Sequence, residues 1–269
     1  MDGFKFVRAG SVAEAAQVFG KAADARYLAG GQTLLPVMKQ RLAAPSDVIS
    51  LAKIAGLGGV TVTKDGITIG AMTRHADVAM HAEIKARLPA LAILAGGIGD
   101  PHVRNRGTIG GSLANNDPAA DYPAAVLGLG ASIETDKRRI AADDYFQGLF
   151  ATALEPGELI TCVVFPVPER AGYVKFPHPA SRYALVGVMV SQGGQGVRVA
   201  VTGAGVGVFR VPALEAALAK SFTPAAVEGF VQPDADLTSD LHGSAAYRAH
   251  LVTVLAKRAV ALALNGHSS

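Results

Sequence analysis

Tyr27-Leu28-Ala29-Gly30-Gly31-Gln32-Thr33-Leu34-Leu35-Pro36 is the stretch on which the fold turns. Tyr27-Leu28-Ala29 reads as a strand running into a Gly-Gly turn. Residues 34–42 read as a helix whose early Pro36 sits in the first turn, where its missing N–H costs nothing. Pro45-Ser46-Asp47 breaks that helix, and Val48-Ile49-Ser50-Leu51 reads as a second strand, so residues 27–51 form a compact βαβ-like unit. The order strand, glycine turn, helix has chemical meaning. Without a Cβ, glycines let backbone N–H groups close around an oxyanion, and the following helix adds its own free N–H groups and positive dipole end. A phosphate suits such a turn. So does a plainer reading, in which Gly-Gly merely connects a strand to a helix capped by Thr33.

Working outward, Ser11-Val12-Ala13-Glu14 is a capping-box pattern followed by one apolar helical face (Val12, Ala15, Ala16, Phe19). Residues 60–63 and 67–69 alternate around Lys64-Asp65-Gly66 and predict a β-hairpin. Residues 75–82 and 84–95 predict two short helices, interrupted by Pro89. From 96 to 123 neither the helical nor the strand period is sustained, and six of the sixteen residues from 96 to 111 are glycine; irregular stretches of this length inside compact domains are usually functional. Residues 132–135 and 159–165 predict strands, and Pro166-Val167-Pro168-Glu169-Arg170 the best linker. Beyond it, residues 186–190, 197–202 and 206–211 predict strands, and 212–220 and 245–264 helices. They make a small C-terminal domain of a three-stranded antiparallel sheet with helices, ending in a polar tail, Gly266-His267-Ser268-Ser269.

Composition narrows the function. In 269 residues, 50% are apolar and 17% charged, with 25 basic against 22 acidic residues, so the chain folds around an ample core and has no strong charge bias. The few basic clusters, Arg104 with Arg106 and Lys137-Arg138-Arg139, lack the interleaved aromatics of a nucleic-acid groove. No secretory signal or membrane span is legible, and a cytoplasmic location is expected. The single cysteine, Cys162, cannot hold a metal cluster alone; it lies inside an apolar strand and reads as a buried, inert thiol rather than a nucleophile. Redox chemistry would therefore need an organic cofactor. No G-x-G-x-x-G, P-loop or G-x-S-x-G pattern is present, and the seven histidines include no i,i+4 pair. No metal site and no side-chain catalytic group is expected.

A second constellation is Gly107-Thr108-Ile109-Gly110-Gly111-Ser112, followed by Asn115-Asn116-Asp117-Pro118 and Asp121. It reads either as another backbone cradle, with Asp121 accepting from a sugar's hydroxyls, or as a turn cluster bonding only its own backbone. Two cradles in one half of the chain suit a ligand with two phosphates.

Ala29-Gly30-Gly31-Gln32-Thr33-Leu34-Leu35-Pro36, taken with Asp100-Pro101-His102-Val103-Arg104-Asn105-Arg106-Gly107-Thr108-Ile109-Gly110-Gly111-Ser112, resembles the FAD-binding medium subunits of molybdenum hydroxylases. That group includes bacterial carbon monoxide dehydrogenase and xanthine dehydrogenase. Asp117-Pro118-Ala119-Ala120-Asp121-Tyr122-Pro123, Tyr173-Val174-Lys175 and Ser244-Ala245-Ala246-Tyr247-Arg248 extend the resemblance over essentially the whole chain.

The resemblance implies an α+β fold. A two-subdomain FAD-binding domain of the vanillyl-alcohol-oxidase/PCMH type would fill residues 1–168 (subdomains 1–55 and 56–168), with a small α/β C-terminal domain in 169–269. It implies FAD as the cofactor, its diphosphate on Leu28, Ala29, Gly30, Gly31, Gln32, Thr33, Leu34 and Leu35 and on Thr108, Ile109, Gly110, Gly111 and Ser112. Ile98 and Ile160 would border the flavin, Asp121 would hold the sugar or ribityl region, Lys175 would reach the flavin, and Tyr183 would cover the isoalloxazine. From the residues alone, Lys175 can equally be a solvated strand lysine and Tyr183 a core-rim tyrosine, while Arg104 and Arg106 read as loop anchors. The implied partners are a large molybdopterin-binding subunit and a small subunit with [2Fe–2S] clusters, in a dimer of heterotrimers. The implied function is electron transfer from those clusters through FAD to an external acceptor. A non-catalytic FAD-binding or assembly module, and a free-standing flavin oxidoreductase, stay open as alternatives.

Overall fold

The computed structural model describes residues 2–64 and 66–265. Near the start, Ser11 Oγ accepts the Glu14 N–H at 3.1 Å, and the Glu14 carboxylate accepts the Gly10 N–H at 2.8 Å. That reciprocal cap begins the helix Val12–Lys21. Strands Lys5–Arg8, Asp47–Ser50 and Ala25–Leu28 form a parallel sheet with Asp47–Ser50 in the middle. The βαβ unit is therefore present, with the helix Leu34–Lys39 as its crossover. Its edge partner Lys5–Arg8 goes unsignalled in the sequence, because its burial follows no inside-out alternation.

The second sheet is antiparallel, in the order Val60–Thr63, Gly66–Gly70, Ile160–Phe165, Ser132–Thr135, Arg139–Ala141. The expected hairpin forms its edge; the turn residue Asp65 lies outside the described residues. Three short helices, His75–Met80, Ala82–Arg87 and Pro89–Gly96, stand where the sequence suggested two, since His81 is extended and Pro89 opens a new helix at its first turn. The stretch read as irregular contains two helices, Pro101–Arg104 and Ile109–Asn115, and the start of a third, Tyr122–Gly128. The last of these is buried along its whole length.

The C-terminal sheet has four antiparallel strands, not three: Arg170–Pro177, Ala184–Gly193, Gly196–Thr202 and Phe209–Arg210. The strand expected over 206–211 shrinks to two residues, and Arg170–Pro177 joins at the other edge. Helices Pro212–Lys220 and Ala245–Leu264 are as expected. The latter packs on the sheet where Gly172 leaves room; a Cβ there would fall 2.2 Å from the Ala259 carbonyl oxygen. The polar tail 266–269 lies outside the described residues.

Beyond residues 166–169 the C-terminal segment has an apolar cluster of its own, with Val188, Val199, Leu214 and Leu255, and it also shares one with the first half. Ala171, Tyr173, Met189 and Ala200 belong to the same apolar cluster as Leu91, Leu113, Tyr122 and Val163. The buried helix Tyr122–Gly128 is also completed by the C-terminal sheet: Arg198 Nε donates to Leu127 O at 2.8 Å and Ser191 Oγ to Gly128 O at 2.6 Å. Just before that helix, the Thr202 hydroxyl donates its one hydrogen to Ala120 O at 2.7 Å and lies 3.0 Å from Pro118 O. Among the described residues no helix is long and apolar enough to cross a membrane.

Candidate cofactor-binding site

The glycine turn sits at the carboxyl end of the strand Ala25–Leu28. Gly31 has φ +74°, a left-handed conformation that favours glycine. The turn closes through Leu35 N–H to Gly31 O (3.2 Å) and Val37 N–H to Thr33 O (3.1 Å). Thr33 makes no side-chain cap, and its backbone is already helical, so the capping role expected of it is not realised. Among the described residues the backbone N–H groups of Gln32, Thr33 and Leu34 find no protein acceptor. They are free donors in a turn whose side chains at 32 and 33 are exposed.

Gly30 presses this turn onto the second glycine segment. A Cβ at Gly30 would lie 2.1 Å from Arg106 O and 2.8 Å from Gly107 Cα, and one at Gly111 would lie 3.6 Å from Ala29 Cβ. The structure thus brings residues 29–31 and 106–111 together, as the sequence suggested. The second segment is nevertheless not a cradle of free donors. Thr108 caps the helix Ile109–Asn115, its Oγ1 accepting the Gly111 N–H at 3.2 Å. Ile109 N–H donates to Thr73 O, Gly110 N–H to Ala71 O and Ser112 N–H to Thr108 O. Gly110 is glycine because Ala71 is against it: an added Cβ would fall 2.6 Å from the Ala71 Cβ. Ser112 is half-buried at the same helix start.

Lys175 joins Asp121 to the carbonyl of Gly97, the residue before Ile98. Lys175 Nζ donates to Gly97 O (2.7 Å), Arg182 O (3.1 Å) and Asp121 Oδ2 (3.1 Å). Three acceptors use all three ammonium hydrogens. Lys175 is therefore not a solvated strand lysine, and in this arrangement it has no hydrogen to spare for a flavin. Asp121, 4% exposed, also accepts the Tyr173 hydroxyl, so its carboxylate is occupied inside the protein rather than held out to a sugar. Burial pushes the Asp121 carboxyl up, against the pull of the Lys175 ammonium, and it raises the Tyr173 phenol too, with Asp121 adding to it. Ile98 follows Gly97 at the rim, and its carbonyl accepts Arg104 Nη1 at 3.0 Å, as does that of Gly99. Arg104 is thus the loop anchor expected; Arg106 is exposed. Tyr183 is 46% exposed, too open for a core-rim tyrosine, and burial with Asp117 and Asp121 nearby raises its phenol.

Ile160 is buried in the central strand of the second sheet. It shares an apolar cluster with Ile109 and Leu113, and its neighbour adds a backbone link: Thr161 O accepts the Ala71 N–H, and Ala71 O accepts that of Gly110. Cys162 is half-buried, not buried, and lies 3.5 Å from Glu134 Oε2. Burial and that carboxylate push its thiol up to about 11, which keeps it protonated and unreactive.

Sequence reasoning missed His75. It is 5% exposed, its N–H donates to Gly107 O, and a Cβ on Gly107 would fall 2.5 Å from His75 Nε2. Burial and then the Arg104 charge push its imidazole down to about 4. Its Nδ1 and the Tyr122 hydroxyl are buried without a hydrogen-bond partner, and their rings are 5.3 Å apart. Only its place at the start of a helix marked it in the sequence. A cavity of about 320 Å³ lined by Gly130, Asp143, Val164 and Gln195 shares no residue with this site.

A turn with three unengaged N–H donors, packed by glycine on a second glycine segment, accommodates an anionic diphosphate, so the residues present fit a dinucleotide cofactor such as FAD. The fold and site define a nucleotide-cofactor-binding α+β protein. Residues 2–168 match the family described as the FAD binding domain in molybdopterin dehydrogenase. The chain is 36% identical over 270 residues to the nicotine 6-hydroxylase medium subunit of Paenarthrobacter nicotinovorans, covering 95% of each chain. It is also 36% identical to the carbon monoxide dehydrogenase medium chain of Afipia carboxidovorans, over 96% of this chain and 95% of the other. The solved carbon monoxide dehydrogenase of Hydrogenophaga pseudoflava contains a chain that superposes with a TM-score of 0.86 at 33% identity over 98% of both. The chain belongs to the FAD-binding medium-subunit family of molybdenum hydroxylases, which are oxidoreductases, and FAD is its cofactor.

Proposed function

We propose that this chain is the electron-transfer subunit of a heteromeric molybdenum hydroxylase, standing between [2Fe–2S] clusters on a small partner and an external electron acceptor. A large partner would carry the molybdopterin and the organic substrate, in a dimer of heterotrimers. The free N–H groups of Gln32, Thr33 and Leu34 are the observation that carries this reading. They would bind the diphosphate, with Leu28, Ala29, Gly30, Gly31 and Leu35 shaping the turn and Thr108, Ile109, Gly110, Gly111 and Ser112 forming the opposing wall. FAD, when bound, supplies the exchange between one- and two-electron chemistry that the protein itself lacks. Ile98 and Ile160 would border the flavin side of the site, and Tyr183 would cover the ring.

Asp121 and Lys175 take a different part from the one their sequence positions suggested. As a buried pair they fix the carbonyls of Gly97 and Arg182, and so the two loops that would flank the flavin. The cofactor-binding portion would occupy residues 1–168, with subdomains 1–55 and 56–168, and residues 169–269 would complete it. The decisive experiment is affinity purification of the tagged chain from cells expressing its neighbouring genes. A yellow preparation containing one FAD per chain, with a larger molybdopterin protein and a smaller iron–sulfur protein, is the expected result. A chain that purifies alone and turns over an organic substrate unaided would sink the subunit reading.

A further inference from the structure

The loop 178–183 joins strands Arg170–Pro177 and Ala184–Gly193 and ends at Tyr183. It is short, exposed and carries Arg182 at φ +61°, a left-handed conformation unfavourable for a side-chain-bearing residue. Something must hold it, and nearly every internal bond runs through His178. The His178 N–H donates to Tyr183 O at 2.7 Å, and Arg182 N–H donates to His178 O at 2.9 Å. The His178 ring does the rest: Nδ1 accepts the N–H groups of both Ala180 and Ser181, each at 3.2 Å. From outside the loop, Lys175 Nζ holds Arg182 O.

A nitrogen that accepts two N–H bonds cannot carry a proton. A protonated imidazole donates at both ring nitrogens, so this geometry needs neutral His178 in the Nε2–H form. The ring is held in place by His242, edge to face with centroids 4.2 Å apart. His242 is in turn presented by Asp240, which accepts the His242 and Gly243 N–H groups at Oδ1 and Arg248 at Oδ2. The charged or titratable groups around His178 are thus His242 and Asp240 from the loop before the last helix, Arg248 from that helix, Lys175 from the preceding strand and Arg182 from its own loop. Among the described residues, the partners of Nδ1 are these two backbone N–H groups and no carboxylate.

We propose that His178 is a positioning residue for the cofactor site: as a neutral imidazole it ties down loop 178–183 and with it Tyr183, and protonation releases the loop. The consequence for the flavin rests on the reading that Tyr183 covers the isoalloxazine; the consequence for the loop does not. Acidification is the trigger, because a proton on Nδ1 removes the acceptor that the Ala180 and Ser181 N–H groups share.

The test compares wild type, His178→Ala and His178→Asn, each as the full FAD-loaded chain. Asparagine is informative because its side-chain oxygen accepts backbone N–H groups two residues on and does not titrate. Hydrogen–deuterium exchange, corrected for the intrinsic pH dependence of amide exchange, reports protection of residues 180–181. The expected result is a fall of about tenfold in wild-type protection between pH 8 and pH 5, equally low protection at both pH values in His178→Ala, and retained, pH-independent protection in His178→Asn. Wild-type protection in His178→Ala, or a wild-type pH slope in His178→Asn, overturns the proposal. FAD release, followed by the rise of free-flavin fluorescence, separates the two readings. Release that quickens with loop exposure supports both. Loop exposure with unchanged FAD release overturns the covering role of Tyr183 and leaves His178 as the residue that holds the loop.

Discussion

Replacing Gly30 by alanine probes the contact that joins the two glycine segments. The new Cβ would lie 2.1 Å from Arg106 O and 2.8 Å from both Arg106 C and Gly107 Cα. Cβ atoms in proteins hardly ever approach within 3.0 Å of a neighbour, so one side must yield by about 1 Å. The far side is backbone and cannot swing away as a side chain would. It is pinned by Gly107 N–H to Val103 O at 2.7 Å and by His75 N–H to Gly107 O at 3.0 Å. Overpacking of this kind costs about 1–3 kcal/mol of stability. The turn is the less constrained partner, and moving it shifts the free donors at 32–34 away from their anion. Losing one charge-assisted hydrogen bond, about 1.5–3 kcal/mol, weakens FAD binding roughly 10- to 100-fold. FAD titration followed by flavin fluorescence, alongside urea unfolding of the apo chain, measures both quantities. If Gly30→Ala binds FAD as wild type does and unfolds at the same urea concentration, the glycine is not the pivot between the two segments.

Gly20, near the end of the helix Val12–Lys21, has nothing within 4 Å of an added Cβ, so Gly20→Ala should stabilise by about 0.5–1 kcal/mol in urea unfolding and leave FAD affinity unchanged. Lys175→Met strands the buried Asp121 carboxylate and should cost about 3 kcal/mol in the same assay; Asp121→Asn, which leaves the ammonium its two carbonyl partners, should cost less, and the reverse order would contradict the pairing. His75 imposes a pH dependence: the unfolded imidazole gains its proton near 6.5 while the folded one stays neutral to about 4. Between those values the unfolded chain binds more protons, so stability falls as pH drops through the window and levels off below it, by up to roughly 3 kcal/mol. His75→Gln should flatten that part of the curve of unfolding midpoint against pH.

Local signals were legible in this chain and long-range pairings were not. Ser11 and Ser244 announce the helices they cap, and the alternation of Val60–Thr63 and the residues after Gly66 announces a hairpin, because each pattern closes within a few residues. The helix Ile109–Asn115 hid behind two glycines at its start, residues that disfavour a helix in isolation; Ala71 packing against Gly110 and the Thr108 cap override that preference. Arg170–Pro177 was masked in the same way by the prolines before it and by Gly172, whose reason is helix packing rather than chain flexibility. In the site, the glycine turn could be read from residues 27–36 alone. The engagement of Asp121 by Lys175 and Tyr173, more than fifty residues away, could not, because nothing in the spacing records which buried carboxylate meets which ammonium.

The side chains that complete the helix Tyr122–Gly128 also set a timetable for synthesis. Met189, Ser191, Arg198 and Thr202 close over carbonyls and apolar faces built from residues 118–128. A ribosome therefore completes the helix Tyr122–Gly128 some seventy residues before its last core contacts exist. Until then the nascent chain carries an open apolar helix, so maturation of the flavin site is gated by translation of the second half, and a stalled or truncated message yields a sticky intermediate rather than a small working domain.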